Sequence, residues 1–167
     1  MSHKPQFKFD NSFARSLEDY FSYCEPEPAV APKWLQFNHG LAEELGLDPV
    51  TLDSDAGLAI FSGNATAEGS KPLAQAYAGH QFGGFSPQLG DGRALLLGEV
   101  IDTQQNRRDI QLKGSGRTPF SRGGDGKAAV GPVLREYLIG EAMYALGIPT
   151  TRALAAIATG KEVYREN

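Results

Sequence analysis

A stretch of 21 residues, Arg107–Lys127, carries the residue types best suited to chemistry. It consists of RRDIQLKGSGRTPFSRGGDGK, with six basic side chains, two acidic ones and five glycines, so its local charge is +4 in a chain of net charge −4. Fixed positive charge beside backbone that is free to adopt positive φ suits the binding of a polyphosphate. A solvated basic loop is the ordinary alternative. Because the stretch begins in a strand pattern and leads into a helix, we interpret it as a candidate site.

Two charged residues on separate predicted elements are candidates for acting together. In the predicted strand Asp109–Lys113, the side chain of Lys113 faces away from the apolar Ile110 and Leu112. Glu136 follows in a predicted helix, on a half-buried flank where a carboxylate needs a cationic partner. A strand lysine with a helix glutamate is the arrangement of the protein-kinase N-lobe, where the lysine contacts nucleotide phosphates. Many α/β proteins contain such residues, so a purely structural role stays open.

A second glycine motif, QLGDGRA (Gln88–Ala94), lies between two predicted strands. It has neither the GxGxxG spacing of a Rossmann fingerprint nor the GxxxxGK[ST] spacing of a Walker A loop. A tight Gly-Asp-Gly turn is often only a hairpin connection. The motif by itself therefore leaves the choice between a binding turn and a plain hairpin open.

Composition limits the class of protein. The 167 residues are 41% hydrophobic and 22% charged, which is typical of a soluble globular protein, and no apolar run approaches the roughly 20 residues of a membrane-spanning helix. The N-terminus lacks the apolar core of a signal peptide. One cysteine excludes an internal disulfide and suits a reducing cytoplasm, and with three scattered histidines a structural zinc site is improbable. We expect a cytoplasmic protein with no membrane partner.

Charge is unevenly distributed along the chain. Residues 1–60 hold ten acidic and four basic side chains, whereas the basic residues concentrate in the second half. This distribution argues against nucleic-acid binding over the whole surface. Eleven of the 20 glycines lie between Gly79 and Gly126. The second half therefore needs a functional explanation that the first does not.

The first half is predicted to be an arm with short helices. We expect an amphipathic helix around Phe13–Tyr20, an extended linker at Glu25–Pro32 that lies on another surface, a helix at Leu41–Leu47 and one or two further turns at Pro49–Gly57. These elements make up residues 1–72 of a two-part chain. Residues 73–167 form the second part.

Strands dominate the second part before one long helix. The predicted strands are Ala74–Gly79, Ala94–Ile101, Asp109–Lys113 and Thr151–Ala158, with loops at Gly79–Arg93 and Gly114–Lys127 and the start of a return strand at Val163–Asn167. The helix has Pro132 in its first turn and ends at Gly147, before Pro149. Its predicted buried stripe consists of Leu134, Tyr137, Leu138, Ala142 and Ala145. Ending in mid-hairpin predicts the N-terminal piece of a longer protein.

Three linked motifs resemble the selenoprotein O family of bacterial protein adenylyltransferases. They are YAGHQFGGFSPQLGDGRALLLGEV, DIQLKGSGRTPFSRGGDGKAAV and LREYLIGEAMYALGIPTTRALA, and the resemblance extends from Phe9 to Glu166. It implies an α+β, protein-kinase-like N-lobe, made of an antiparallel sheet with one main helix and preceded by the arm. The C-lobe would be missing. One departure is Val130–Leu138, where the family has a more polar entry to the helix.

The resemblance also implies site residues. Gly90, Gly92, Arg93, Lys113, Asp125 and Gly126 would bind ATP. Glu136 would orient Lys113. The catalytic aspartate and the ligands of Mg²⁺ or Mn²⁺ would lie beyond Asn167, so that this chain alone would be inactive and would hold neither a catalytic nor a metal-binding residue.

The implied activity of the full-length protein is transfer of AMP from ATP to Ser, Thr or Tyr hydroxyls of substrate proteins. Its partners would be those proteins and its own C-lobe, with no nucleic acid and no membrane. Two other functions stay open at this point. One is a non-catalytic, nucleotide-binding pseudokinase. The more distant one is a single-stranded nucleic-acid-binding module that uses the Ser121–Gly124 loop and Phe120.

Overall fold

The computed structural model describes residues 4–165, which form short helices and antiparallel strands. The strands are β1 (Phe21–Tyr23), β2 (Lys33–Phe37), β3 (Leu73–Gln75), β4 (Gly79–Gln81), β5 (Gly84–Ser86), β6 (Ala94–Ile101), β7 (Arg107–Lys113) and β8 (Ala155–Ala158). The helices are α1 (Ser12–Ser16), α2 (His39–Glu44), α3 (Pro49–Leu52), α4 (Asp55–Phe61) and α5 (Val130–Ala145), with a 3₁₀ turn at Glu18–Tyr20. The predicted α+β class with an antiparallel sheet is confirmed.

The main sheet has four strands in the order β1-β3-β6-β7, and every neighbouring pair is antiparallel. A second sheet pairs β2 with β8, and a third is the β4–β5 hairpin. Strands from both sides of residue 72 therefore pair in the first two sheets. The arm thus contributes strands to the same sheets as the second part of the chain.

Strand β6 is the centre of the core because both of its faces are covered. Leu95 faces the larger apolar cluster, which includes residues of α2–α4 and of β7, whereas Leu96 faces a smaller cluster beside α1. A β-bulge at Leu96–Gly98 shifts the alternation, and Val100 then rejoins the larger cluster. Strand β7 covers the core on one side only. Its Ile110 and Leu112 are buried and its Lys113 is exposed, as the alternation predicted.

Helix α5 packs on the described residues by a small part of its surface. Gly140 is its one fully buried residue, and a Cβ there would lie 3.0 Å from the carbonyl oxygen of Thr151. The predicted buried stripe is wrong for this part of the chain, since Leu134 and Leu138 are exposed. The close approach at Gly140 turns a different flank toward β8. The C-terminal prediction is correct: Gly147 has φ 74°, and the Ile148 amide donates to the Met143 carbonyl.

Several predicted boundaries differ from the structure. The helix expected at Phe13–Tyr20 is interrupted at Leu17, because the backbone leaves helical dihedrals there (φ −133°, ψ 49°). The loop expected at Gly79–Arg93 contains the β4–β5 hairpin, and the strand expected at Thr151–Ala158 is limited to its last four residues. No strand forms at 163–165, and the rest of that predicted return strand lies outside the described residues.

Within residues 4–165, no helix is both long and apolar enough to cross a membrane.

Candidate functional site

A cleft of about 890 Å³ opens between the β4–β5 hairpin, the start of β6, the end of β7 and the loop Gly114–Lys127, called the glycine-rich loop below. Its volume lies within the usual range of small-molecule sites. All six residues predicted to bind a nucleotide line it: Gly90, Gly92, Arg93, Lys113, Asp125 and Gly126. The structure thus brings together residues that are up to 36 positions apart in the sequence.

Lys113 and Glu136 form an ion pair beside this cleft. The Lys113 Nζ atom lies 2.9 Å from Glu136 Oε2, and Arg93 Nη2 lies 3.7 Å from the other carboxylate oxygen. The side chains of Lys113 and Glu136 remain 52% and 49% exposed. Glu136 is thus half-buried, as predicted. The predicted pairing itself is present, and the carboxylate holds the ammonium group at the wall of the cleft.

The Gly90–Gly92 turn forms the floor of the cleft and packs against the glycine-rich loop. Gly90 has φ 59°, and a Cβ at this position would lie 2.4 Å from Cγ of Phe120, so only glycine fits both the backbone and the contact. Thr118 Oγ1 donates to the carbonyl of Asp91 at 2.5 Å, and Ser121 Oγ donates to that of Gly92 at 2.6 Å. Phe120 is buried in this contact. Its ring is therefore not free to stack on nucleic-acid bases, which weakens the nucleic-acid alternative.

The Asp91 side chain anchors the same turn to the end of β3 and to the segment that follows it. Its buried carboxylate accepts hydrogen bonds from the Gln75 amide at 3.0 Å and from the Tyr77 hydroxyl at 2.9 Å. Burial, together with the hydrogen bond to Asp91, raises the pKa of Tyr77 to about 12. The carboxylate of the Gly-Asp-Gly motif is thus a structural group, and the glycines and Arg93 present the surface of the cleft.

Asp125 is held by an arginine from the far end of the described chain. Arg165 donates to both carboxylate oxygens, at 2.8 and 3.0 Å, and also to the carbonyl of Lys127 at 2.9 Å. The Arg165 guanidinium, helped by the backbone amide of Lys127, holds the pKa of Asp125 at about 2. Asp125 is therefore ionised at neutral pH. Its carboxylate fixes the loop, while Gly126 presents backbone to the cleft.

The cleft is strongly cationic. Two acidic residues line it, Asp91 and Asp125, and both are engaged in the contacts just described. The basic residues of its lining are Arg93, Lys113, Arg117, Arg122, Lys127 and Arg165. The sequence predicted polyphosphate binding by the basic stretch that contains Arg117, Arg122 and Lys127, whereas Arg165 was missed. A cleft with this excess of guanidinium and ammonium groups suits a polyanion, since arginine can bind phosphate through two parallel hydrogen bonds.

Metal-ligating side chains are not grouped in this region. Across residues 4–165, no three His, Cys, Asp or Glu side chains are placed to hold a metal ion together. The two carboxylates of the cleft each serve a protein partner. The described residues therefore fit the role of an anion-binding wall and do not by themselves fit a divalent-metal site.

Comparisons with known proteins agree with one another. Residues 4–167 match the family model described as "Protein adenylyltransferase SelO". The chain is 68% identical over 160 residues to a protein nucleotidyltransferase YdiU of Cereibacter sphaeroides, covering 96% of this chain and 33% of the relative. It is 67% identical over 162 residues to the YdiU protein of Rhizobium rhizogenes, covering 97% and 32%, and 65% identical over 159 residues to that of Agrobacterium fabrum, covering 95% and 33%. The chain spans about a third of the length of these curated relatives.

Proposed function

We propose that this chain, which belongs to the SelO family of protein adenylyltransferases, forms the ATP-binding, kinase-like N-lobe of a bacterial enzyme that transfers AMP to proteins. Residues 73–167 would be the lobe, and residues 1–72 the arm that braces it. The acceptors would be Ser, Thr or Tyr hydroxyls. The relatives are named protein nucleotidyltransferases, which supports a nucleotide donor and protein acceptors. We place the reaction in the cytoplasm of the bacterial cell.

One observation carries the proposal: Lys113 and Glu136 pair at the wall of a cationic cleft floored by the Gly90–Gly92 turn. Lys113 would contact the phosphates of ATP, and Glu136 would hold its ammonium group in place when the nucleotide is absent. Arg93 lies near the same carboxylate and would contribute a second cation. Such an arrangement neutralises phosphate charge without reorganisation at the moment of reaction, which is how charged groups lower the barrier of phosphoryl-type transfers.

In the proposed reaction, the oxygen of a substrate hydroxyl attacks the α-phosphorus of ATP. The bond between that phosphorus and the bridging oxygen of the β-phosphate breaks, pyrophosphate leaves, and the hydroxyl proton passes to a base outside this chain. The described residues would bind and orient the triphosphate, so that the attacking and leaving oxygens stand in line. Their cations would also neutralise the charge that develops on the departing pyrophosphate.

A divalent metal ion, Mg²⁺ or Mn²⁺, would shield the phosphates when it is bound. Since the described residues hold no cluster suited to it, its protein ligands and the catalytic aspartate belong, in this proposal, to the remaining two thirds of the family length. The exposed apolar face of α5, with Leu138 and Ile139, would contact that C-lobe.

The decisive test is mass spectrometry of candidate substrates and of the full-length protein itself after incubation with ATP and Mg²⁺. An adenylyl adduct on a hydroxyl side chain supports the proposal, and hydroxylamine-resistant attachment distinguishes it from an acyl adenylate. ATP binding with no adduct on any protein would instead identify a nucleotide-binding pseudokinase. Binding that ignores ATP and falls steeply with salt would favour the nucleic-acid alternative.

We predict that residues 1–167 alone transfer no AMP, because the proposed base and metal ligands are outside them. The measurement is incorporation of labelled AMP with Mg²⁺ or Mn²⁺, with the full-length protein as the positive control. Transfer by residues 1–167 at the rate of the full-length protein would place the chemistry within this chain and overturn the proposed division of labour.

A further inference from the structure

The linker Glu25–Pro32 contacts the glycine-rich loop through Glu27. Its backbone is fixed at three points. The Glu27 amide donates to the Ser115 carbonyl at 2.9 Å, the Ala29 amide donates to Asn64 Oδ1 at 2.8 Å, and the Ala31 amide donates to the Thr159 carbonyl at 3.0 Å. The backbone of this linker, called the strap below, is therefore fixed. Its side chains consequently meet the loop in defined positions.

Glu27 is the side chain that this strap presents to the loop. Its Oε2 atom lies 2.8 Å from Nζ of Lys127, and its Oε1 atom accepts a hydrogen bond from the Arg117 amide at 3.2 Å. The ammonium group beside it holds the pKa of Glu27 below the ordinary value. The Lys127 side chain is only 11% exposed, so its charge is largely removed from solvent and is compensated by this carboxylate.

These contacts join the two ends of the glycine-rich loop. Ser115 and Lys127 form an isolated antiparallel bridge, and the Gly116 amide donates to the Gly126 carbonyl at 3.2 Å. We call this junction of the two loop ends the neck. The Glu27 side chain packs against it, and a Cβ on Gly116 would lie 2.6 Å from Cγ of Glu27. Glycine at 116 leaves the space that the glutamate occupies. One carboxylate therefore touches both the entering and the returning strand of the loop.

We propose that Glu27 is a positioning residue that sets the shape of the glycine-rich loop, and through it the placement of Gly126 and Arg117 at the cleft. Glu27 does not line that cleft. It acts through Lys127 and through the Arg117 amide. In the absence of Glu27, the neck of the loop holds a partly buried ammonium group without its counter-charge, and the loop opens.

The first test concerns the loop alone and does not depend on the proposed function. Hydrogen–deuterium exchange is measured on the nucleotide-free full-length protein for the wild type, Glu27→Gln and Glu25→Gln. Glu25 is the matched control, because it lies on the same strap, is exposed and has no ion pair within residues 4–165. We expect faster exchange in peptides covering 114–117 and 125–128 for Glu27→Gln only. Unchanged exchange there, or an equal effect of Glu25→Gln, overturns the inference.

The second test asks whether loop shape controls nucleotide binding, and it rests on the proposed function. Titration with a fluorescent ATP analogue is expected to show an affinity roughly tenfold lower for Glu27→Gln, within the range of coupling energies between contacting groups. Lys127→Gln should cause a similar loss, and the double variant should be no worse than either single one. Additive losses, or wild-type affinity in Glu27→Gln, contradict the inference.

The two tests separate the two proposals. If the wild-type protein does not bind the ATP analogue, the proposed function fails, and the exchange measurement still decides the role of Glu27. Should Glu27→Gln unfold the protein, Glu27→Asp provides the measurement, since it keeps the charge and withdraws the carboxylate by one methylene. Exchange of Glu27→Asp that is faster than wild type in the peptides covering 114–117 and 125–128 supports the inference, and wild-type exchange there with lowered global stability overturns it.

Discussion

Helix α5 carries two ion-pair systems of contrasting construction. Near its middle, Glu136 meets Lys113 through one 2.9 Å contact, and both side chains are about half exposed. Five residues later, Glu141 is held by Arg152 through two hydrogen bonds of 2.8 Å. Arg152 is 13% exposed and also donates to Glu44 at 2.7 Å. The same helix thus has one lightly held pair and one that is held from several directions.

The difference separates a group available for chemistry from one committed to structure. The Arg152 guanidinium also lies 3.7 Å from the centroid of the Tyr144 ring, and its carboxylate partners raise its pKa well above the ordinary range. Its bonding capacity is used by the protein. The Lys113 ammonium group has one described partner and faces a cleft, so two of its three donors are open to an incoming anion. The less reinforced pair is therefore the one that we propose to be functional.

The largest effect is expected at the Lys113–Glu136 pair. Lys113→Ala and Glu136→Ala in the full-length protein should each lower AMP transfer by about 10²–10³-fold, because the first removes a positive charge aimed at the phosphates and the second removes the group that positions that charge. Folding should change little, by about 0–1 kcal/mol, since exposed ion pairs contribute only that much. Labelled AMP transfer and thermal unfolding measure the two quantities. Near-normal transfer by Lys113→Ala would show that the ion pair does not contribute to AMP transfer.

The combination of these changes sharpens the result. The Lys113→Ala, Glu136→Ala double variant should be little worse than either single variant, because groups that act as one unit are strongly non-additive. Lys113→Arg should not restore transfer, since a planar guanidinium does not replace a compact ammonium group at a crowded phosphate. Additive losses would mean that the two residues act separately.

The opposite pattern is expected at the Glu141–Arg152 pair. Arg152→Leu should lower the free energy of unfolding by about 1–3 kcal/mol, because hydrogen bonds to charged, partly buried carboxylates are lost. ATP affinity should stay near the wild-type value. Arg135→Leu is the control, since Arg135 is exposed on the same helix and has no ion pair within the described residues. If Arg152→Leu had the same Tm as the control, the proposed distinction between the structural and the functional ion pair would be wrong.

The smallest effect concerns the pH dependence of the loop. Since the folded-state pKa of Asp125 lies at about 2, below its ordinary value of 3.8, its contribution to stability is complete above pH 4. That contribution is lost as the pH falls through 2. Arg165→Ala should move the pKa of Asp125 upward, toward the ordinary value. Carboxyl ¹³C chemical shifts followed through an acid titration measure this change, and an unchanged midpoint would mean that the Arg165 contact does not form in solution.

Local pattern was sufficient for the elements that carry the Lys113–Glu136 pair. Alternation over β7 placed Lys113 opposite Ile110 and Leu112, and the Gly147–Pro149 signal ended α5 correctly. The pair could be proposed because a half-buried carboxylate on the helix needs a cationic partner. The β4–β5 hairpin was missed because Phe82, a non-glycine residue at φ 54°, occupies its turn without the usual sequence signal.

The rest of the site depends on contacts between distant residues. Arg165 reaches Asp125 across 40 positions, and Glu27 reaches Lys127 across 100. Neither pairing leaves a local periodicity in the sequence, since each follows from how the sheets and the strap fold back on the loop. The buried face of α5 was mispredicted for a related reason. Backbone proximity at Gly140 decided the orientation, and the spacing of apolar residues did not.

The pairing of β2 with β8 has a consequence for how the chain is made. Phe37 pairs with Ala155, about 120 residues later, so on a ribosome adding 5–20 residues per second the first strand waits roughly 6–25 s for its partner. Throughout that interval β2 has an open edge that invites pairing with other nascent chains. Non-local pairing of this kind also slows folding in general. The arm is thus the first part of the chain to be synthesised and among the last to complete its strand pairing.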